Sequence, residues 1–151
     1  ANQTVVVPQS GGYKIGSWNL AGSSVEDVLL STLSFDVDEV LNATLNESDL
    51  TNLTAKVFVN GVQVASPAPL GTVSAADNNF SINYTLTKNS SATIELWSTI
   101  GSGATALDSF KTDLTVTGTS MVSGQAISAA DVDGQIIIAG AGTLTATVDA
   151  G

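Results

Sequence analysis

Short runs in which apolar and polar residues alternate recur along this chain, and turn-forming residues separate them. In residues 80–87, for example, Phe80, Ile82, Tyr84 and Leu86 alternate with Ser, Asn and Thr. A period of two sends successive side chains of a β-strand to opposite faces, so that one face is buried and the other is solvated. About nine to eleven such runs, roughly 8–12 residues apart, predict an all-β fold, an antiparallel β-sandwich.

Local patterns refine this prediction. Asn60-Gly61 stands between two alternating runs and predicts a two-residue hairpin turn of type I′, which needs positive φ at both positions. The alternation changes phase near Gly16 in residues 13–20, and again within residues 25–37, and such a slip is typical of a β-bulge. Residues 24–30 also allow a helix that Ser24 would cap, although β-branched residues favour a strand from residue 25.

Composition excludes several classes of partner. At 151 residues we expect one domain, residues 1–151. Fourteen acidic residues oppose four basic ones, all Lys, and the net charge is -10. Nucleic acid requires clustered Lys and Arg, so we expect no nucleic-acid partner. No run of 18 apolar residues occurs, so we also expect no membrane span.

Catalysis is poorly supported. The chain has neither Cys nor His, which removes the common nucleophile, the commonest general base and the usual transition-metal ligands. Glu26-Asp27 with Glu95, or Asp108 with Asp113, would be the carboxylate pairs to consider for a glycosidase. Nothing in their spacing supports that role, so we expect no enzyme and no organic cofactor.

The C-terminal end carries two β-forming runs, residues 135–139 and 143–148, separated by Gly140-Ala141-Gly142. The second run is apolar, uncharged and free of proline, and such a strand at an open sheet edge tends to aggregate. We therefore expect a partner strand for it, from its own domain or from the next copy. The predicted interface residues are Thr143, Leu144, Thr145, Ala146, Thr147 and Val148, with Val5, Val6 and Val7 at the other end. Residues 1–12 and 141–151 are accordingly predicted to be linking strands.

Two acidic turns are candidate Ca²⁺ sites. Asp131 and Asp133 precede Gly134, and Asp36 and Asp38 have the same spacing. Carboxylate oxygens two residues apart suit a hard cation that takes six to eight oxygen ligands. The full EF-hand pattern is absent, and a solvated acidic turn is the alternative.

Glycans are the other candidate partners. Seven Asn-X-Ser/Thr sequons are candidate glycosylation sites and point to an extracellular surface; composition alone is the alternative. They are Asn2, Asn42, Asn46, Asn52, Asn79, Asn83 and Asn89. Trp18, Trp97, Tyr13 and Tyr84 are candidates for a sugar-binding platform, but Trp18 and Tyr84 fall on faces predicted to be core, and Trp97 lies opposite Ile94 and Leu96.

Three segments resemble a repeated Ig-like β-sandwich module of large prokaryotic cell-surface proteins. They read GGYKIGSWNLAGSSVEDVLLSTLSFDV, SDLTNLTAKVFVNGVQV and NNFSINYTLTKNSSATIELWSTI, and the resemblance covers roughly residues 11–128. In such arrays a strand like GTLTATVDAG leads into a following VVVP segment. Joining the C-terminal residues of this chain to its N-terminal residues reproduces that sequence. The resemblance implies either one repeat of a longer chain or a subunit that passes its terminal strand to a neighbour.

These observations favour a structural role. We expect an extracellular filament or surface-array subunit that binds copies of itself head to tail by β-strand complementation. The alternative is a self-contained adhesin or carbohydrate-binding module of the cell surface.

Overall fold

The chain folds as two β-sheets packed face to face. The computed structural model describes residues 3–7, 9–39, 54–69, 78–100, 109–134 and 137–141. These residues contain eleven strands and no helix, so the predicted all-β sandwich is confirmed. The strands are β1 (Gln3–Val7), β2 (Gln9–Ala21), β3 (Val28–Glu39), β4 (Thr54–Val59), β5 (Val62–Gln63), β6 (Ala68–Pro69), β7 (Asn78–Leu86), β8 (Ser91–Ile100), β9 (Ser109–Ser120), β10 (Ala126–Asp133) and β11 (Ile137–Ala141).

The larger sheet has the order β1-β11-β9-β3-β7, and β10 also pairs with β9. β10 and β11 lie one after the other along the same edge of β9, both antiparallel to it. β1 runs parallel to β11, with Gln3 opposite Ile137 and Val7 opposite Ala141. The smaller sheet has the order β2-β8-β4-β5, and β6 pairs with β4.

The core lies between the two sheets, where the alternating residues meet. Leu33 and Phe35 of β3 and Ile94 and Leu96 of β8 belong to this core, and all four are completely buried. Trp18 packs against Phe35 with ring centroids 5.5 Å apart, and its Nε1 donates to the carbonyl of Val132 at 2.9 Å. Burying one side chain of this size stabilises a fold by about 1.5–3 kcal/mol, so these positions hold the sheets together.

The predicted local irregularities occur close to where the alternation changes phase. The register of β2 against β8 shifts between Lys14 and Gly16, and that of β3 shifts between Leu30 and Thr32. Asn60 and Gly61 have φ of 49° and 79°, as a type I′ turn requires. These three predictions are confirmed.

Two predictions near the strand ends are wrong. Residues 24–27 form a bend, and the strand begins at Val28, so neither the helix at residues 24–30 nor a strand from residue 25 is present. The reason is that the carboxylates of Glu26 and Asp27 bind backbone amides of other turns. The turn predicted at residues 131–134 is also wrong, because β10 continues through Asp133 after a register shift between Ala129 and Val132.

Candidate functional site

An apolar groove opens between the edges of the two sheets, where β2 and β10 lie next to each other. We call it the edge groove. Its volume is about 220 Å³. Core side chains form its floor, and residues from the two sheet edges and from β9 form its walls. The floor is Val28, Leu30, Leu86 and Val116; the walls are Leu20, Ala21, Gly22 and Ser23 on the side of β2, Gly118 of β9, and Ile127 and Ala129 on the side of β10.

The groove exists because the inward side chains of β9 become smaller toward this end. Leu114 and Val116 are followed by Gly118 and Ser120 at the next inward positions. A Cβ at Gly118 would lie 2.7 Å from the carbonyl oxygen of Leu29, closer than real Cβ atoms approach. The position therefore stays small, and the space above it stays open.

The strand that would close the groove is absent from the part of the chain that the structure describes. β1 covers β11, whereas β10 pairs with β9 alone. One edge of β10 therefore presents backbone N–H and C=O groups without a strand partner among the described residues, and such an edge is a template for a further strand.

Exposed hydrophobic residues surround this end of the sandwich. Val25 is 77% exposed, Met121 54%, Val122 87% and Ile127 39%. Val25 lies in the β2–β3 connection, and Met121 and Val122 lie in the β9–β10 turn. Clustered exposed apolar side chains mark interaction surfaces in soluble proteins, and here they form a rim beside the groove.

A carboxylate fixes this rim in place. Glu26 accepts hydrogen bonds from the backbone N–H groups of Val122 and Ser123, at 2.8 and 2.9 Å, and from Ser123 Oγ at 2.7 Å. The bonds from Ser123 hold the pKa of Glu26 below its ordinary value, and the Val122 amide adds to this effect. Nearby, Asp27 Oδ1 accepts the Lys88 N–H at 2.8 Å. The connections around the groove are thus tied to each other.

The predicted interface residues have different placements. Val5, Val6 and Val7 pair with Ala139, Gly140 and Ala141 inside the same domain. Thr143, Leu144, Thr145, Ala146, Thr147 and Val148 lie outside the described residues, as does most of the predicted linking segment 141–151. The first C-terminal run is paired, since β11 lies between β9 and β1.

A second concave site lies on the outer face of the smaller sheet, and we call it the Trp97 hollow. Its volume is about 170 Å³, and Gly12, Thr54, Lys56, Phe58, Trp97, Ser98 and Thr99 line it. Phe58 and Trp97 form an edge-to-face pair with centroids 6.3 Å apart. Of the four aromatic residues considered for a sugar platform, Trp18 is in the core, and Tyr13 and Tyr84 are half-buried against it. The predicted four-residue platform is therefore not assembled.

Acidic residues line up across the outer face of the larger sheet. Asp36 is opposite Asp113, which is opposite Asp133 on β10. Lys111 Nζ lies 2.9 Å from Asp133 and 3.2 Å from Asp113, and its bond to Asp133 lowers the pKa of that carboxyl. Among the described residues, no three acidic side chains converge as a metal site requires. Ca²⁺ at Asp131 and Asp133, or at Asp36 and Asp38, stays a prediction.

Three predicted glycosylation sites are within the described residues. Asn79 and Asn83 are exposed on β7, an outer strand of the larger sheet, and Asn89 is exposed in the β7–β8 turn. An acceptor asparagine must be accessible, and these three are. Asn2, Asn42, Asn46 and Asn52 lie outside the described residues.

The sequence did not reveal either concave site, because each combines residues far apart in the chain. The sequence offered two signals for the groove. One is a glycine at an inward strand position, Gly118, and the other is a set of apolar residues beside turns, Val25 and Met121-Val122. In the residues that the structure covers, no helix is long and apolar enough to cross a membrane.

No protein-family profile and no curated protein matches this chain. Two crystal structures of CfaE, the adhesive subunit of CFA/I fimbria of enterotoxigenic Escherichia coli, one of them a mutant, show distant structural similarity to it. Sequence identity is 10% in both, with TM-scores of 0.33 and 0.31. The match covers 95% and 93% of this chain and 47% and 46% of the adhesin, so this chain spans about half of its length. A likeness at this level carries no functional conclusion.

Proposed function

We propose that this chain is a structural subunit of an extracellular filament or surface array, without a catalytic role. Copies join head to tail when residues 143–148 of one copy add to the open edge of β10 in the next copy and fill its edge groove. The observation that carries the proposal is the groove itself, an apolar gap beside a strand edge that no described strand covers.

The donor strand suits the groove in length and pattern. Six extended residues span about 20 Å, and β10 has eight residues. Leu144, Ala146 and Val148 alternate with threonines, so the apolar side chains would enter the groove while the threonines face water. Backbone hydrogen bonds to β10 supply the joint, as in other cases of strand addition.

Chain length argues that the donor comes from another copy. The β9 partners of Asp133 and Ile138 are Asp113 and Ser109. Four residues of β9 separate these two partners, which corresponds to about 13 Å at 3.3 Å per residue. Ala141 is three residues beyond Ile138, in the direction away from β10. Thr143 follows Ala141 by two residues, which span at most about 7 Å. Residues 143–148 therefore cannot lie along β10 of their own copy as one strand.

The polarity of the domain favours a fibre over a closed dimer. β2 ends and β10 begins at the groove end, whereas β11 ends at the opposite end of the sandwich beside the end of β1. β11, the last described strand before the proposed donor, thus ends at the opposite end of the copy from the groove. Head-to-tail contacts of this kind that do not close produce an open helical assembly.

Truncation tests the proposal. Negative-stain electron microscopy would compare the full chain with a variant that ends at Gly142, which keeps β11 intact. We expect filaments from the full chain and monomers from the variant. A synthetic peptide of residues 143–151 should bind the truncated variant. Compact monomers from the full chain at every concentration would contradict the proposal, and filaments from the truncated variant would contradict the assigned donor strand.

A pair of substitutions on β10 tests the groove. Ala129 lines it, whereas Ala130 is the next residue along the strand and is exposed. Ala129→Lys places a charge where the donor must bury apolar side chains, and Ala130→Lys makes the same change in net charge outside the groove. We expect peptide binding to weaken at least tenfold in the first variant only. Equal losses in both would mean that charge, and not the groove, controls assembly.

A further inference from the structure

The Trp97 hollow combines an aromatic surface with two nearby lysines. Lys14 on β2 and Lys56 on β4 are the cross-strand neighbours of Trp97 on its two sides. Two of the four lysines of a chain with net charge -10 therefore flank one indole ring. Phe58 packs edge-to-face against the same ring and widens the apolar surface.

Glu95 pairs with Lys14, so the two lysines have different surroundings. It accepts hydrogen bonds from Trp97 Nε1 at 3.1 Å and from Lys14 Nζ at 3.2 Å. The bond from Trp97, and then the bond and charge of Lys14, lower the pKa of Glu95, so the carboxylate stays ionised and holds the indole in one orientation. The positive charge of Lys14 is thereby balanced by the negative charge of Glu95. Lys56 makes no ion pair with any residue that the structure describes, and its side chain borders the hollow.

The hollow suits a small, ring-shaped anion. Its volume of about 170 Å³ leaves room for a group larger than a single water molecule. A flat aromatic surface pairs with the apolar face of a sugar ring, and small-molecule sites add a few fixed polar groups to such a surface. Thr54 and Thr99 border the hollow beside Lys56 and add hydroxyl groups. The ammonium group of Lys56 favours a ligand that carries a carboxylate.

We propose that the Trp97 hollow binds an acidic saccharide, with a sugar ring against Trp97 and Phe58 and the carboxylate of that ring paired with Lys56. The site lies on the outer face of the smaller sheet, apart from the edge groove, so it does not depend on the filament proposal. A saccharide is favoured over the acidic face of a second copy because a half-open hollow admits one ring, whereas the aspartates of the larger sheet are spread over three strands.

Calorimetric titration of the full chain tests this site, with oligogalacturonate as the acidic probe and maltotriose as the neutral one. We expect saturable binding of the acidic probe and at least tenfold weaker binding of the neutral probe. Lys56→Gln should weaken binding of the acidic probe at least tenfold. Lys88→Gln, which removes a charge that is also exposed but lies in the β7–β8 turn, should bind as the unmodified chain does.

Tryptophan fluorescence supplies an independent readout, since Trp18 is buried and Trp97 borders the hollow. The acidic probe should change the emission, and Trp97→Phe should remove that change. Equal binding of both probes, or equal losses in the Lys56 and Lys88 variants, would overturn the proposal. An absence of binding together with emission that varies with protein concentration would also overturn the proposal, because the hollow would then be a contact between copies.

Discussion

At the scale of single residues, carboxylates in this chain act as structural ligands for backbone amides. Glu26 holds the β9–β10 turn through Val122 and Ser123, and Asp27 holds the β7–β8 turn through Lys88. The sequence allowed these two residues to lie in the first turn of a helix capped by Ser24, and nothing in their spacing supported a catalytic role. Which amides a carboxylate meets depends on turns about sixty and one hundred residues away, and the local sequence does not specify them.

Acid should release the turn that Glu26 holds. Its pKa in the folded chain is lowered from the ordinary value of 4.5. The stabilisation is therefore complete above pH 4.5 and is lost as the pH falls through the lower, folded pKa. We expect the NMR amide shifts of Val122 and Ser123 to titrate with a midpoint below 4.5. In Glu26→Gln that titration should disappear, and a midpoint at or above 4.5 in the unmodified chain would contradict the assignment.

At the scale of elements, strand edges and turns decide what the sandwich can bind. The hairpin between β4 and β5 is tied to β8, because Asn60 exchanges hydrogen bonds with Thr93 through its backbone N–H and its Oδ1. Its Nδ2 also donates to Tyr84 Oη at 2.9 Å. The turn type was predictable from Asn-Gly alone, whereas the cross-links to β7 and β8 were not.

Two variants of Asn60 separate the contribution of the backbone from that of the side chain. Both Asn60→Gly and Asn60→Ala lose the side-chain bonds, but only glycine adopts the positive φ without strain. A left-handed conformation costs a residue with a Cβ roughly 1–2 kcal/mol. We expect Asn60→Ala to be less stable than Asn60→Gly by about that amount in urea denaturation. Equal stabilities would mean that the positive φ at this position is not under strain.

At the scale of the whole molecule, a net charge of -10 opposes association of identical copies. The proposed joint, in contrast, consists of apolar side chains and backbone hydrogen bonds, which salt does not screen. Two opposing contributions to assembly therefore respond differently to ionic strength.

Salt should accelerate filament formation. Raising the ionic strength from 0.01 to 0.15 M shortens the screening length from about 30 to about 8 Å, which weakens repulsion between approaching copies and leaves the joint intact. Light scattering should detect faster growth at the higher ionic strength. The variant that ends at Gly142 is the control and should scatter weakly at both. Slower growth with salt would indicate that ion pairs, and not the groove, form the joint.

Local pattern was sufficient to predict most of the architecture. Alternation predicted β4, β7 and β8 and which of their faces is buried, because a strand's two faces are defined by its own sequence. The phase slips in β2 and β3 and the Asn60-Gly61 turn were predictable for the same reason. Within the described residues, errors occurred mainly at strand ends, where carboxylates and register shifts involve distant partners.

The chain's sequence by itself determined the fold class, the buried faces, the acidic surface and the apolar alternation of residues 143–148. Only the tertiary structure decided that Val5–Val7 pair with β11, that β10 has no second strand partner among the described residues, and that Gly118 leaves a gap between the sheets there. It also brought Lys56 and Phe58 beside Trp97. The physical reason is that period and propensity act over a few residues, whereas an edge or a hollow exists only once strands from distant parts of the chain have been ordered in a sheet.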